Sequence, residues 1–190
     1  VSYPKIMDAA VPPRTAPPGI EGIMGYLGGP RATRAWTVAE WVRFEHLRQF
    51  PVYVPDPGHP AATQALDAVA EAKKLGWAAF MPEPVRRVII FDLEAESHPA
   101  WYAGVAAEVT AAGFIPAVYG SLSTVLGNAA ELVIAADWTG GSALPPVPAG
   151  QTIGGLQWEP NVAFGGTMVD YSVFTPALFA RGGVGARHGG

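Results

Sequence analysis

The sequence contains no cysteine. That excludes a disulfide scaffold, a thiolate zinc site and a thiol nucleophile. Charge is also scarce. Charged residues make up 15% of the 190 positions, with three Lys beside nine Arg, and the net charge is −4. A surplus of negative charge argues against a phosphate-backbone grip, so no nucleic-acid partner is expected. No run of about 18 apolar residues occurs, so no membrane-inserting helix is expected. The first residues, VSYPKIMDAA, lack the basic-then-apolar layout of a secretory signal, which would have to lie upstream of residue 1. There is no G-x-S-x-G nucleophile elbow and no G-x-x-x-x-G-K-[ST] phosphate loop.

Glycine and proline are abundant instead, at 23 and 19 residues. In a polar chain that content would signal disorder. Here 49% of residues are hydrophobic and mean hydropathy is +0.20. The Gly and Pro therefore punctuate a buried fold of many short elements. The Arg-over-Lys and Ala bias is that of a GC-rich genome. No composition break or long linker interrupts the chain, so residues 1–180 read as one domain and residues 181–190 (RGGVGARHGG) as a flexible tail.

Apolar runs alternate with helical patterns. Strands are expected at 5–11, 22–27, 51–55, 85–94, 114–120, 132–138, 152–158 and 168–174. A helix starts at the Thr37/Glu40 capping box, carries Trp36, Trp41, Phe44 and Leu47 at helical spacing, and ends at Pro51. Further helices are expected at 61–75, stopped by Gly76, from Ser97 to about 112, and near 123–130. PPRTAPP after the first strand is a loop and replaces the Gly-rich phosphate turn of a doubly wound sheet. Repeated β–α alternation with buried strands predicts a parallel sheet with right-handed crossovers. Eight strands predict a closed TIM-type (β/α)8 barrel in the α/β class. A typical barrel takes about 250 residues, so some outer helices must be short or missing.

Chemistry-bearing residues gather where apolar strands stop, which in such a barrel is the active-site face. The most buried strand ends in Phe91-Asp92-Leu93-Glu94. Positions i and i+2 share a face, so Asp92 and Glu94 project together. Two carboxyls in one apolar site repel, and one keeps its proton near neutral pH, as a general acid for glycoside cleavage must. The alternative is a pair held by loop amides or by Arg86 or Arg87. Asp8 ends the first strand and Asp170 opens the last apolar run. Tyr26, Tyr119, Asp137, Trp138, Gln157 and Trp158 stand at other strand ends. Aromatic faces suit the C–H faces of sugar rings, and amides and acids suit their hydroxyls; core packing is the competing role for each Trp. Asp56 and His59 make at most half a metal site, so neither a metal nor a cofactor is expected.

The ordered series KIMDAA, GYLGG, W-T-x-x-E, A-x-x-A-x-x-L-G, FDLE, GFIPAVYGS, AADW, GLQW and VDY spans about residues 5–175. In this series the chain resembles the glycoside hydrolase family 25 lysozymes. It is still more similar to the related glycoside hydrolase-like family, once a domain of unknown function, found in actinobacteria and their phages. The resemblance implies a TIM-type barrel acting on peptidoglycan in a muramidase-like way. It implies Glu94 as the general acid, Asp92 as its charge-stabilising partner, and Asp8 and Asp170 as acids of the same site. It also implies a cell-wall polysaccharide partner and an extracellular, cell-envelope or virion setting rather than the cytoplasm. The region matching the lysozymes' early-strand Y-H-F stretch has no His. That departure motivates the alternative: a non-catalytic glycan-binding or structural barrel of a phage particle or cell envelope, contacting other virion or envelope proteins. A metal-dependent hydrolase on the same barrel is a third class.

Overall fold

A computed structural model describes residues 3–77, 86–94, 96–137 and 143–184. Eight strands follow one another around a barrel: β1 (Lys5–Ala9), β2 (Gly22–Gly28), β3 (Arg48–Tyr53), β4 (Val88–Asp92), β5 (Ile115–Ser121), β6 (Leu132–Ala136), β7 (Thr152–Phe164) and β8 (Thr167–Phe174). Each pairs with the next, and β8 closes on β1. The barrel is therefore closed and of the small α/β TIM type. A two-residue strand, β9 (Gly183–Val184), pairs antiparallel with Arg48 and Gln49, on the part of β3 that lies before its pairing with β4 begins at Val52.

The sheet is not wholly parallel. β1 to β7 run parallel, but β8 is antiparallel to both neighbours. The reason is local. A parallel connection needs a crossover of about a dozen residues or more, and only Gly165 and Gly166 separate β7 from β8. Both have positive φ, +58° and +84°, which suits a tight hairpin turn whose twist matches its strands. β7 accordingly runs to Phe164, well past the expected end at Trp158.

Five helices are described: α1 (Val38–Val42), α2 (Ala61–Lys74), α3 (Pro99–Ala111), α4 (Leu122–Gly127) and α5 (Pro176–Ala180). Only α2 and α3 are long. The Thr37/Glu40 capping box forms, but α1 stops after five residues instead of continuing toward Pro51. Phe44 N–H donates to the Trp41 carbonyl at 3.0 Å, and the Gln49 side-chain amide donates to the same oxygen at 2.8 Å. The chain then tightens through i→i+3 bonds to Leu47, and β3 starts three residues earlier than expected. No described helix is long and apolar enough to cross a membrane.

Strand alternation sorts the barrel. Ile6, Met24, Phe50, Val52, Val88, Ile90, Ala117, Ile134 and Phe174 form one buried cluster inside it. The opposite faces of β4 to β6, carrying Ile89, Phe91, Val118 and Val133, pack against Ala65, Ala68 and Ala72 of α2 and Val105 and Val109 of α3. Met7 and Ile23 pack outward under Trp36, Trp41 and Phe44. Phe50 and Phe174 meet edge to face at 4.8 Å. Each fully buried large side chain contributes about 1.5–3 kcal/mol. The inner cluster seals the barrel below its mouth.

Gly25 tests this packing. A Cβ there would stand 2.7 Å from two ring carbons of Trp36. Trp36 is buried, packs against Trp41 with ring centroids 4.9 Å apart and donates to the Ala10 carbonyl, so it cannot give way. Gly25→Ala is expected to lower the urea unfolding free energy by about 1–3 kcal/mol, read as a lower midpoint at unchanged m-value.

Candidate active site

The inward positions above the apolar plug are polar. Asp8 lies on β1 directly opposite Asp170 on β8. Asp92 ends β4, opposite Tyr119 of β5. Glu94 follows two residues later, and Tyr26 and Gln157 come from β2 and β7. The loop after β4 is held tightly against β5: a Cβ at Gly120 would lie 2.6 Å from the Leu93 carbonyl. Thr124 Oγ1 of α4 donates to the Glu94 carbonyl at 3.3 Å. Ser121, the other polar end of β5, caps α4 by accepting from Thr124 N–H. Sequence-distant elements thus fix where Glu94 emerges.

Four carboxyls consequently share one mouth. Among the described residues no Lys, Arg or His forms an ion pair with any of them. Arg87, a sequence candidate for that role, donates to the Gly182 carbonyl at the other end of the barrel. Burial pushes Asp8 up from 3.8 to about 8, helped by the charges of Asp170 and Glu94. Burial lifts Asp92 well above the carboxylate range, with Glu94 and Asp8 adding to it. Glu94 is raised by burial and then by Asp170, and nearby Tyr119 offsets part of the rise. Asp170 is raised by burial and held down by Asn161 N–H and Gln157. Tyr26 and Tyr119 are raised by burial and by the same four acids. Desolvation and like charge act in one direction, favouring the protonated forms.

A hydrogen-bonded chain crosses the mouth. Tyr119 Oη donates to Gln157 Oε1 at 2.7 Å. Gln157 Nε2 donates to Asp170 Oδ2 at 2.9 Å and reaches Asp8 Oδ2 at 3.4 Å. Asn161 N–H donates to Asp170 Oδ1 at 2.6 Å. Asn161 adopts φ +58° where the β7–β8 register shifts, so an irregularity in β7 aims this amide. Asp8 and Asp170 are thereby held on the β7–β8 side. Asp92 and Glu94 line an open cleft of about 260 Å³ with Tyr26, Arg31 and His98.

The structure brings together seven of the expected site residues: Asp8, Tyr26, Asp92, Glu94, Tyr119, Gln157 and Asp170. Trp158 follows Gln157 on the opposite face of β7. It packs on the outer core and lines a separate 170 Å³ hollow with Pro17, Pro18, Ile20 and Tyr171. Asp137 ends up beside β7, its N–H donating to the Gln157 carbonyl at 3.0 Å. Trp138 lies outside the described residues. Arg31, His98 and Asn161 were not singled out by sequence. Only the hairpin turn Phe164-Gly-Gly-Thr167 carried a signal for the β7 irregularity, and nothing local marked the other two. Asp56 and His59 contact each other at 3.1 Å, but no described group of three or more acidic or His residues is placed to hold a metal. A larger cavity of about 690 Å³ opens between α3 and the starts of β5 to β7 and holds none of the clustered acids.

No protein-family model matches the chain, and no curated protein matches it in sequence. Solved structures share its fold. An uncharacterized protein from B. stearothermophilus superimposes with a TM-score of 0.71 at 16% identity, covering 94% of this chain and 99% of that one. A family GH25 lysozyme from Aspergillus fumigatus gives 0.63 at 15%, covering 92% and 94%. The modular autolysin LytC from Streptococcus pneumoniae, in complex with a synthetic peptidoglycan ligand, gives 0.64 at 16%; the match covers 91% of this chain and 47% of the autolysin. The barrel is a GH25-like fold.

The cluster ties stability to pH. Between 3.8 and about 8 the folded chain keeps the Asp8 proton that the unfolded chain has released. Stability from this group is full below 3.8 and is lost as pH rises toward 8. The raised Asp92, Glu94 and Asp170 carry the same sign. The denaturant midpoint should fall across that window, and Asp8→Asn should flatten the fall and stabilise the protein at pH 8.

Proposed function

We propose that the chain is a glycoside hydrolase acting on bacterial cell-wall glycan, with Glu94 as its general acid. The observation that carries this reading is a cluster of raised carboxyls, none ion-paired among the described residues, opening on a cleft. A general acid must hold a proton at working pH and reach the substrate. Two features support Glu94 in that role: burial and Asp170 raise it above the usual glutamate value, and it lines the cleft. Glu94 delivers its proton to the glycosidic oxygen as the bond to the sugar carbon breaks. Positive charge then builds on the ring. Asp92, in the same cleft, ionises by passing its proton to the Glu94 carboxylate just formed, which sets its negative charge against the ring. Water adds to the sugar carbon and gives its proton to Asp92, which restores both acids. Asp8 and Asp170, held through Gln157, stand outside the cleft, and the Asp170 charge opposes ionisation of Glu94.

The shared fold with a GH25 lysozyme and a peptidoglycan-bound autolysin supports the substrate class. Such a glycan lies outside the cytoplasmic membrane, so the proposed working place is extracellular or at the cell envelope. A barrel retained only for binding or assembly would gain stability by pairing its crowded acids with cations. The described residues instead leave them without ion pairs.

Glu94→Gln keeps the shape and removes the proton donor. It should slow the clearing of a peptidoglycan suspension by about 10²-fold or more, with an unaltered circular dichroism spectrum and an unfolding midpoint no lower than the wild type's. Wild-type clearing should fall away as pH rises through the titration of Glu94. Clearing at the wild-type rate by the variant would overturn the assignment.

A further inference from the structure

We infer that the cleft beside Asp92 and Glu94 contains a subsite for a carboxylate substituent of the bound glycan, and that Arg31 reads it. The inference deepens the proposed function and rests on it. The same cleft that holds the two acids is lined by Arg31. Opposite charges in one cleft ordinarily meet. Here Arg31 does not lower either acid, and both stay raised. Its guanidinium is committed elsewhere, to Asp56 Oδ1 at 2.8 Å.

The position of Arg31 is built from both sides. On its own loop, Gly29 adopts φ +112°, and a Cβ there would lie 2.2 Å from the Val54 carbonyl. That close approach lets Arg31 N–H donate to Val54 O at 3.2 Å, while Val54 N–H donates to Gly28 O at 2.9 Å. On the other side, Asp56 is clamped by Gln64 of α2, a buried side chain. Gln64 accepts from Asp56 N–H at 2.8 Å and donates to the Asp56 carbonyl at 2.6 Å. Asp56 also accepts from Gly58 N–H and contacts His59. A buried amide thus fixes a carboxylate, which fixes a cation at the cleft wall.

Only one Arg31 nitrogen is used by Asp56. The side chain is 57% exposed, and its other guanidinium donors have no protein partner among the described residues. A planar guanidinium with spare donors suits a carboxylate oxygen pair. A ligand filling the cleft therefore needs hydroxyl or acetal oxygens at the acids and an anion displaced from them, at Arg31. A neutral amino-sugar polymer satisfies only the first. A glycan whose ring bears a carboxylate on a side arm satisfies both. In peptidoglycan that group is either the lactyl carboxylate of a bare muramic acid or the first carboxylate of a stem peptide.

Calorimetric titration of the whole protein separates these cases. The probes are the N-acetylglucosaminyl-N-acetylmuramic acid disaccharide with a free lactyl carboxylate, its lactyl methyl ester, and the disaccharide amidated with L-alanyl-D-glutamate. The wild type should bind at least one carboxylate-bearing probe roughly tenfold tighter than the ester. Arg31→Gln should bind that probe as weakly as the ester, with ester affinity unchanged and a wild-type melting curve. An Arg31-dependent gain confined to the free disaccharide assigns the subsite to the lactyl group; one confined to the dipeptide probe assigns it to the stem peptide. Ester and acids binding the wild type equally, or Arg31→Gln leaving all three affinities unchanged, overturns the subsite and leaves the glycan reading intact. No binding of any probe to the wild type removes both.

Discussion

Like charge that no cation among the described residues pairs with governs this molecule. A closed barrel sends every second residue of each strand to its interior. Below the mouth those positions are apolar and fully packed, so the acids stand on a floor that solvent does not reach. Two terms follow. Little water is left to solvate an ionised carboxylate from below, and each ionised neighbour makes the next ionisation harder. The same floor that stabilises the fold therefore raises the acids. A looser or wetter plug would weaken both effects together. The cluster costs stability at this point, since Asp8 and Asp170 face each other across an antiparallel pair, where like charges destabilise.

Much of the fold was legible because its signals are local and redundant. The continuous apolar run before Asp92 marked β4, and i, i+2 parity placed Asp92 and Glu94 on one face. The capping box at Thr37 and Glu40 forms as expected. What failed depends on residues distant in space or on a competing local bond. The extent of α1 turned on Gln49, which is outside the helix and takes the Trp41 carbonyl. The antiparallel β8 turned on Gly165-Gly166, whose positive φ values make a hairpin where alternation alone suggested another crossover. Trp158 shows how strict parity is. It neighbours Gln157 in sequence, yet that one-residue offset sends it out of the barrel.

The site was legible in its acids and not in its margins. Acids at strand ends announce themselves, because a carboxyl closing an apolar run has no packing reason to be there. Arg31 and His98 reach the cleft from loops whose paths no periodicity encodes. Asn161 contributes a backbone N–H, which has no side-chain signature at all. The structural relatives make the same point at the level of whole chains. At 15–16% identity the barrel persists, since an apolar interior of the right volume can be filled by many residue combinations.

The neutrality of Gln157 shapes how the cluster can work. It is buried and sits between two acids and a phenol. An amide has donors on one atom and an acceptor on the other. Its nitrogen therefore faces Asp170 and Asp8, and its oxygen accepts from Tyr119. A carboxylate in that position would add a fifth acid and lose both donor bonds; an alkyl group would take a partner from Tyr119 and from Asp170. With the amide, the Asp8–Asp170 half is fixed by the protein's own donors, while Asp92 and Glu94 remain open to the cleft. The two halves stay coupled through space, because Asp170 raises Glu94 and Asp8 raises Asp92. A proton leaving Glu94 is then opposed by negative charge that cannot move away, and positive charge arriving beside Asp92 relieves it. That asymmetry, one half held and one half exposed, is what the proposed general-acid role of Glu94 draws on.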